Sequence, residues 1–203
     1  MFLGIEMQTI NFLIMFATRK LSYSSLLEYL PIRFGGTEAQ VKEREEVFNF
    51  KGGRASQRTK DLLVSKINDI TRDDKANWVI CFIPSSTRQK TETRYRELSG
   101  YLMRQTGVAT SMLAITNLED RESQHTGHRL ADPTVAFAFD VKEFSGKKVL
   151  LIDDVITNGT TFRISAHKML RLGAVYVQGL FVAQTVHPGL PQYTRNKLLT
   201  FIF

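Results

Sequence analysis

Cysteine is almost absent from this sequence, because Cys81 is the only one among 203 residues. A single thiol excludes an intrachain disulfide framework and a zinc site built from clustered thiolates, and it agrees with a reducing compartment. Low-complexity tracts and internal repeats are missing too. With 43% hydrophobic and 23% charged residues, the composition is that of an ordinary globular chain. The length suits one domain with a substantial core.

No hydrophobic run is long enough to span a bilayer. The most apolar stretch, residues 1–17, is interrupted by Glu6, Gln8 and Asn11, and no basic residues precede it. We expect a buried helix or strand here, with a targeting or membrane-surface segment as the alternative. The corresponding expectation for the whole protein is a soluble, cytoplasmic chain that does not associate with membranes.

Acidic residues are outnumbered by basic ones. The chain has 27 Lys and Arg against 20 Asp and Glu, which gives a formal net charge of +7. The excess lies in residues 81–105 and 161–203, whereas residues 117–133 are net negative. Such an excess fits a nucleic acid, an anionic small molecule or solubility alone. Basic and aromatic residues are not strongly interleaved. A nucleic-acid partner is therefore possible, but no sequence motif supports it.

The order of apolar segments predicts the fold class. Unbroken apolar strands that alternate with helices are typical of a parallel sheet covered on both faces, and ligands bind beyond the carboxyl ends of its strands. Earlier in the chain, Leu26, Leu27 and Leu30 suggest a short helix that Pro31 ends. The predicted strands are 78–83, 108–115, 135–139, 148–152 and 175–182, and the predicted helices are 56–70, 92–105 and 162–170.

The strongest chemical signal lies in residues 149–161. An apolar strand delivers two adjacent carboxylates, Asp153 and Asp154, to its carboxyl end, and a small polar loop containing Gly159 leads into a helix. Backbone N–H groups of such a loop and of the helix N-terminus form a cradle for an anion. The carboxylates would repel a phosphate unless they face another group, and sugar hydroxyls are suitable. The pattern indicates a ribose 5-phosphate site, with a divalent cation screening the remaining charge.

Three other interpretations of this segment are possible. A Walker B strand needs a P-loop upstream, and the sequence contains none. A phosphoacceptor receiver domain needs far more chain than follows Asp154. A purely structural strand before a capped helix is the third, and two carboxylates with a glycine loop fit a cap poorly.

Residues 153–161 resemble the phosphoribosyl-pyrophosphate (PRPP) binding motif of type I phosphoribosyltransferases. The usual motif has two acids, two aliphatic residues, Thr-Thr-Gly, any residue and a small hydroxyl residue, and this sequence departs from it at Asn158, where Thr is usual. A weaker resemblance, over about 47–183, is to the ComF-like branch, although the cysteine zinc module of that branch is absent. The residues on which this weaker resemblance depends are 50–54, Pro84, 94–96, and Arg121 and Gln124 followed by Arg129.

The resemblance implies an α/β fold with a parallel sheet flanked by helices and a small hood. Residues 56–183 would form the core, with 1–55 and 184–203 as terminal segments that could supply the hood. It also implies a Mg²⁺-dependent enzyme that binds PRPP and transfers the phosphoribosyl group to a nitrogen nucleophile with release of pyrophosphate. Magnesium would bridge the pyrophosphate and the ribose hydroxyls, and the family resemblance further implies a homodimer.

Site residues follow from the resemblance position by position. Asp153 and Asp154 would hold the ribose 2- and 3-hydroxyls and, mostly indirectly, the magnesium. Arg121 or Arg129, in a lid over residues 116–133, would act on the departing pyrophosphate. Of Arg94 and Arg96, only one is expected to face the site. The predicted pyrophosphate contacts are Ser85, Ser86, Thr87, Arg88 and Lys90, and the predicted 5-phosphate loop is Val155, Ile156, Thr157, Asn158, Gly159, Thr160 and Thr161.

A second class of function uses the same fold without catalysis. The protein would then be a nucleotide or PRPP sensor, or a ComF-like accessory in DNA uptake. Salt-sensitive DNA binding without affinity for PRPP would favour the accessory. The accepting base is not readable from the sequence, although His187, just past the last predicted strand, is a candidate for the border of a base pocket.

Overall fold

The computed structural model describes residues 21–118 and 134–188. Within these ranges a sheet of parallel strands is flanked by helices. The strands are β1 (Ser22–Tyr29), β2 (Trp78–Phe82), β3 (Ala109–Ser111), β4 (Ile115–Asn117), β5 (Phe137–Phe139), β6 (Lys148–Ile156) and β7 (Tyr176–Thr185). The α-helices are α1 (Glu38–Lys51), α2 (Gln57–Thr71), α3 (Arg88–Thr106) and α4 (Thr160–Arg171), and short 3₁₀ turns cover Ile32–Phe34, Arg72–Asn77 and Val141–Glu143.

The main sheet has five strands in the order β1–β7–β6–β2–β3, and each neighbouring pair is parallel. A separate antiparallel pair, β4 with β5, flanks the span 118–136. The predicted α/β class, with a parallel sheet flanked by helices, is confirmed. The carboxyl ends of β6, β2 and β7 therefore lie along one edge, where the sequence predicts the ligand.

Buried side chains form one apolar cluster on each face of this sheet. Because strand residues alternate between faces, Val149 and Leu151 of β6 pack with α4, whereas Leu150 and Ile152 pack with α1, α2 and α3. Cys81 of β2 is fully buried in the cluster beside α4, and this burial raises the pKa of its thiol. The lone cysteine is thus a core residue.

Helix ends follow local sequence signals. The Ser56 side chain accepts a hydrogen bond from the backbone of Thr59 and begins α2, and Thr87 does the same for α3 through Lys90. Gly107 ends α3 in the left-handed region at φ 72°. The helix predicted at 92–105 is therefore one turn longer at its start, because Thr87 supplies the cap.

Two predicted elements are wrong in detail. The segment around Leu27 is strand β1, because pairing with β7 along its whole length outweighs the local leucine pattern. The strand predicted at 108–115 is broken, because Ser111 Oγ accepts hydrogen bonds from the backbone N–H groups of Leu113 and Ala114 and so turns the chain between β3 and β4. Strand β6 is longer than predicted and carries the acid pair within its paired region.

Several expectations fall outside the described residues. These include the apolar segment 1–17, the lid arginines Arg121 and Arg129, and everything after residue 188. The domain boundaries at 55/56 and 183/184 also stay predictions, although residues 22–29 belong to the main sheet as β1. In the part of the chain that is described, no helix has the length and apolar character needed to cross a membrane.

Candidate functional site

The acid pair lies near the carboxyl end of β6, and both carboxylates reach side chains of α3. Asp153 also lines a cavity beside α4, and Asp154 also approaches Lys51 at the end of α1. The adjacent carboxylates therefore share contacts with α3 and differ in their second neighbour, which is the cavity for Asp153 and Lys51 for Asp154.

Asp153 is largely enclosed, with 20% of its side chain exposed. Its Oδ1 accepts a 2.8 Å hydrogen bond from the backbone N–H of Asp154 and a 3.3 Å hydrogen bond from the buried hydroxyl of Tyr95. Burial, followed by the charge of Asp154, raises the pKa of Asp153 above its ordinary value of 3.8. Burial and the neighbouring Asp153 also raise the pKa of Tyr95, so its hydroxyl stays a donor.

A cavity of about 400 Å³ opens beside Asp153. Its lining is formed by Asp153, residues 155–162 and Phe181. Gly159 adopts a left-handed φ of 66° and begins α4 without a side-chain cap, so the N–H groups of the first helical turn receive no side-chain oxygen. Such N–H groups at a cavity wall, with the positive end of the helix dipole behind them, are suited to an anion.

The loop before α4 is fixed to the neighbouring strand. Thr157 Oγ1 and Thr185 Oγ1 form a 2.7 Å hydrogen bond, which ties the loop to the end of β7. Asn158, the departure from the usual motif, is exposed at the cavity. The predicted phosphate loop therefore lines one continuous surface with Asp153, and Thr185 joins it as a supporting residue.

Asp154 is engaged by two cations from distant parts of the chain. Its Oδ2 is 2.6 Å from the guanidinium of Arg94 in α3, and its Oδ1 is 3.8 Å from the ammonium of Lys51 at the end of α1. The Arg94 and Asp154 side chains expose 10% and 15% of their surface. Arg96 instead pairs with Glu92 on the outer side of α3, with 75% of its side chain exposed. One arginine of the two thus faces the acids.

A close helix contact brings these cations together. An added Cβ at Gly53 would lie 2.2 Å from the backbone oxygen of Thr93, so only glycine lets the end of α1 approach α3 this closely. The approach allows the Nε–H of Arg94 to donate a 3.3 Å hydrogen bond to the carbonyl of Lys51. Residues 50–54, which carried part of the sequence resemblance, therefore build the cationic side of the site.

The loop between β2 and α3 holds the residues predicted to contact pyrophosphate. The Ser85 N–H donates to Thr91 Oγ1, and the Ser85 carbonyl accepts from the Asn117 side chain. Thr87 is buried and its hydroxyl caps α3. The exposed members of the set are Ser86, Arg88 and Lys90. These three present polar and cationic groups to solvent at the carboxyl end of β2, while Ser85 and Thr87 shape the loop.

Sequence reasoning missed several residues around the acid pair. The sequence patterns place Lys51 only within a matching segment and Tyr95 within another and on the apolar face of a helix, and they do not point to Thr185 or Asn117. One sequence signal bears on Lys51. The Gly-Gly pair that follows it marks a break in the chain and so places this lysine at the end of a helix. Contacts across 60 and 43 residues, such as Arg94 to Asp154 and to Lys51, have no sequence period that would reveal them. His187 contacts Phe34, ring edge to face.

The resemblance implies magnesium, and the donors at this site decide whether the protein could hold it. Mg²⁺ prefers oxygen ligands in an octahedron with few competing charges. Among the described residues no group of three or more His, Cys, Asp or Glu could hold a metal. The negative charges of Asp153 and Asp154 are already matched by those of Arg94 and Lys51. The acid pair therefore does not fit a magnesium ion held by the protein.

Comparisons with solved structures find likenesses of low identity. A structure of the allosteric regulatory enzyme of purine biosynthesis is 16% identical with a TM-score of 0.41, covering 65% of this chain and 26% of that one. A purine phosphoribosyltransferase from Pyrococcus horikoshii Ot3 is 13% identical with a TM-score of 0.36, covering 81% and 94%. A hypothetical protein from Neisseria gonorrhoeae with bound ppGpp is 12% identical with a TM-score of 0.36, covering 70% and 89%.

No protein-family model and no curated protein matches the chain. The chain spans about a quarter of the length of the purine-biosynthesis enzyme. With TM-scores below 0.5, the structural likenesses carry no weight for function. The ComF-like resemblance therefore stays a prediction.

Proposed function

We propose that this protein binds PRPP, or a related phosphorylated ribose, and acts as a phosphoribosyltransferase. The observation that supports this proposal is the single surface formed by Asp153, the uncapped N-terminus of α4 and the loop that joins them. A carboxylate that accepts hydroxyl hydrogen bonds beside an N–H cradle for a phosphate matches the two ends of ribose 5-phosphate.

In this proposal each part of the site has one task. The N–H groups of residues 157–161 bind the 5-phosphate, and Asp153 accepts hydrogen bonds from the ribose hydroxyls. The nitrogen nucleophile forms a bond to the anomeric carbon and loses its proton, while pyrophosphate leaves with the electron pair of the broken C–O bond. Ser86, Arg88 and Lys90, at the carboxyl end of β2, are candidates to hold that leaving group, and charge stabilisation and positioning supply the rate.

Calorimetric titration with PRPP tests the binding step. We expect the wild-type protein to bind PRPP and the Asp153→Asn variant to bind it at least about tenfold more weakly, because an amide replaces one of two acceptor oxygens that face the hydroxyls. Asp69→Asn, which changes an exposed aspartate on α2, is the matched control and should bind as the wild type does. Equal affinity of the Asp153 variant and the wild type would contradict this site.

Turnover separates the enzyme from the sensor. We expect pyrophosphate release from PRPP in the presence of one member of a panel of nucleobases and other nitrogen nucleophiles. A protein that binds PRPP but releases no pyrophosphate with any member would instead be a sensor. Salt-sensitive binding to DNA, with no heat of binding to PRPP, would favour the nucleic-acid accessory over both.

A further inference from the structure

The cationic side of the acid pair, where Asp154 meets Arg94 and Lys51 and Arg94 also lies 3.9 Å from Asp153, has no role in the proposed binding step. It is built from three elements that are far apart in the chain: α1, α3 and β6. Its arginine and aspartate are mostly buried and 2.6 Å apart. Surface ion pairs contribute little, whereas a buried, hydrogen-bonded pair fixes the charge and position of both partners. An arginine held in this way supplies permanent positive charge beside the acids.

The charges at the acid pair already balance without a metal ion. Asp153 and Asp154 carry two negative charges at most, and Arg94 and Lys51 carry two positive ones. A divalent cation brought to the pair would meet the guanidinium within 2.6 to 3.9 Å of the acid oxygens and would be repelled.

We propose that Arg94 and Lys51 take the place of a divalent cation beside the acid pair, so that this site binds a phosphorylated ribose without magnesium. This inference rests on the proposed function, and it names which residues of the chain supply the counter-charge. Of these two cations, Lys51 is the one whose side chain has room to move. Its side chain is 40% exposed, it lies 3.8 Å from Asp154, and its ammonium stands 5.9 Å from the ring centre of Tyr29. It can therefore turn from the acid toward an anionic group of the ligand.

The test compares PRPP binding by calorimetry in excess magnesium and in EDTA. For the wild-type protein we expect the two dissociation constants to agree within about threefold. For Arg94→Gln we expect binding to become more than about tenfold tighter with magnesium than without it, because Asp154 then lacks its cation. Arg96→Gln, on the exposed side of the same helix, is the matched control and should behave as the wild type does.

A second readout needs no ligand. In thermal unfolding without PRPP, magnesium should leave the Tm of the wild type unchanged and should raise that of Arg94→Gln, because the unpaired acids then bind the ion. If Arg94→Gln does not fold, Lys51→Gln replaces it in both measurements, with Lys42→Gln on the same helix as its control, since both lysines are well exposed. Unchanged magnesium dependence in the substituted protein would overturn the inference.

The outcomes separate the two proposals. Wild-type binding that is lost in EDTA and restored by magnesium would overturn the inference and leave the proposed function standing. Absence of PRPP binding in both buffers would overturn both. Binding in both buffers, with a magnesium dependence that appears only when Arg94 or Lys51 is replaced, is the result that supports the inference.

Discussion

Gly53→Ala is expected to lower the free energy of unfolding by about 3 kcal/mol, because the new Cβ meets a backbone atom that cannot rotate away. The Cβ would lie 2.2 Å from the Thr93 oxygen, and Gly53 itself has a left-handed φ of 76°. Relief requires the end of α1 to move away from α3. That movement would carry Lys51 away from Arg94 and Asp154, so the cationic side of the site should be lost together with stability.

Gly107→Ala is the matched control for this substitution. Gly107 has nearly the same φ, 72°, but an added Cβ there would meet nothing within 4 Å. Its cost is therefore the left-handed backbone alone, about 1 kcal/mol. Urea denaturation of both variants separates backbone strain from the collision with Thr93. Equal losses of stability in the two variants would show that the α1–α3 contact is looser than the structure indicates.

Asp153→Asn is expected to stabilise the protein while it weakens PRPP binding. The raised pKa of Asp153 means that its charged form is less favourable in the folded protein than in the unfolded chain. An asparagine keeps the Oδ1 acceptor for Asp154 and Tyr95 but carries no charge. At neutral pH we expect a gain of about 2 kcal/mol in the free energy of unfolding. Loss of binding in a more stable protein would exclude misfolding as the cause.

The gain in the free energy of unfolding from Asp153→Asn is expected to depend on pH. A carboxyl whose folded pKa is raised keeps its proton in the folded protein at pH values where the unfolded chain has released it. Its contribution to stability is therefore complete below the ordinary value of 3.8 and is lost as the pH rises through the folded pKa. The gain from Asp153→Asn should accordingly grow from acid to neutral pH. A gain that is independent of pH, or one shared by Asp69→Asn, would contradict it.

Local sequence patterns predict much of the fold. The unbroken apolar runs of β2, β6 and β7 predict strands buried on both faces, and the caps at Ser56 and Gly107 bound two helices close to their observed ends. The exceptions are instructive. Leu26 and Leu27 lie in β1, whose backbone hydrogen bonds go to β7, about 150 residues later in the chain. No local sequence pattern around Leu26 and Leu27 can predict pairing with a strand so distant in the chain.

The candidate site divides in the same way. The sequence by itself determined the acid pair and the glycine loop between β6 and α4, because a strand, a polar loop and a helix N-terminus are neighbours in the chain. Only the tertiary structure decided that Asp153 lines the cavity beside α4 and that Arg94 and Lys51 meet Asp154. These contacts join residues 60 and 103 positions apart, counted from Asp154, and depend on the close approach at Gly53. Side-chain charge is a property of sequence, but which charges compensate each other is set by packing.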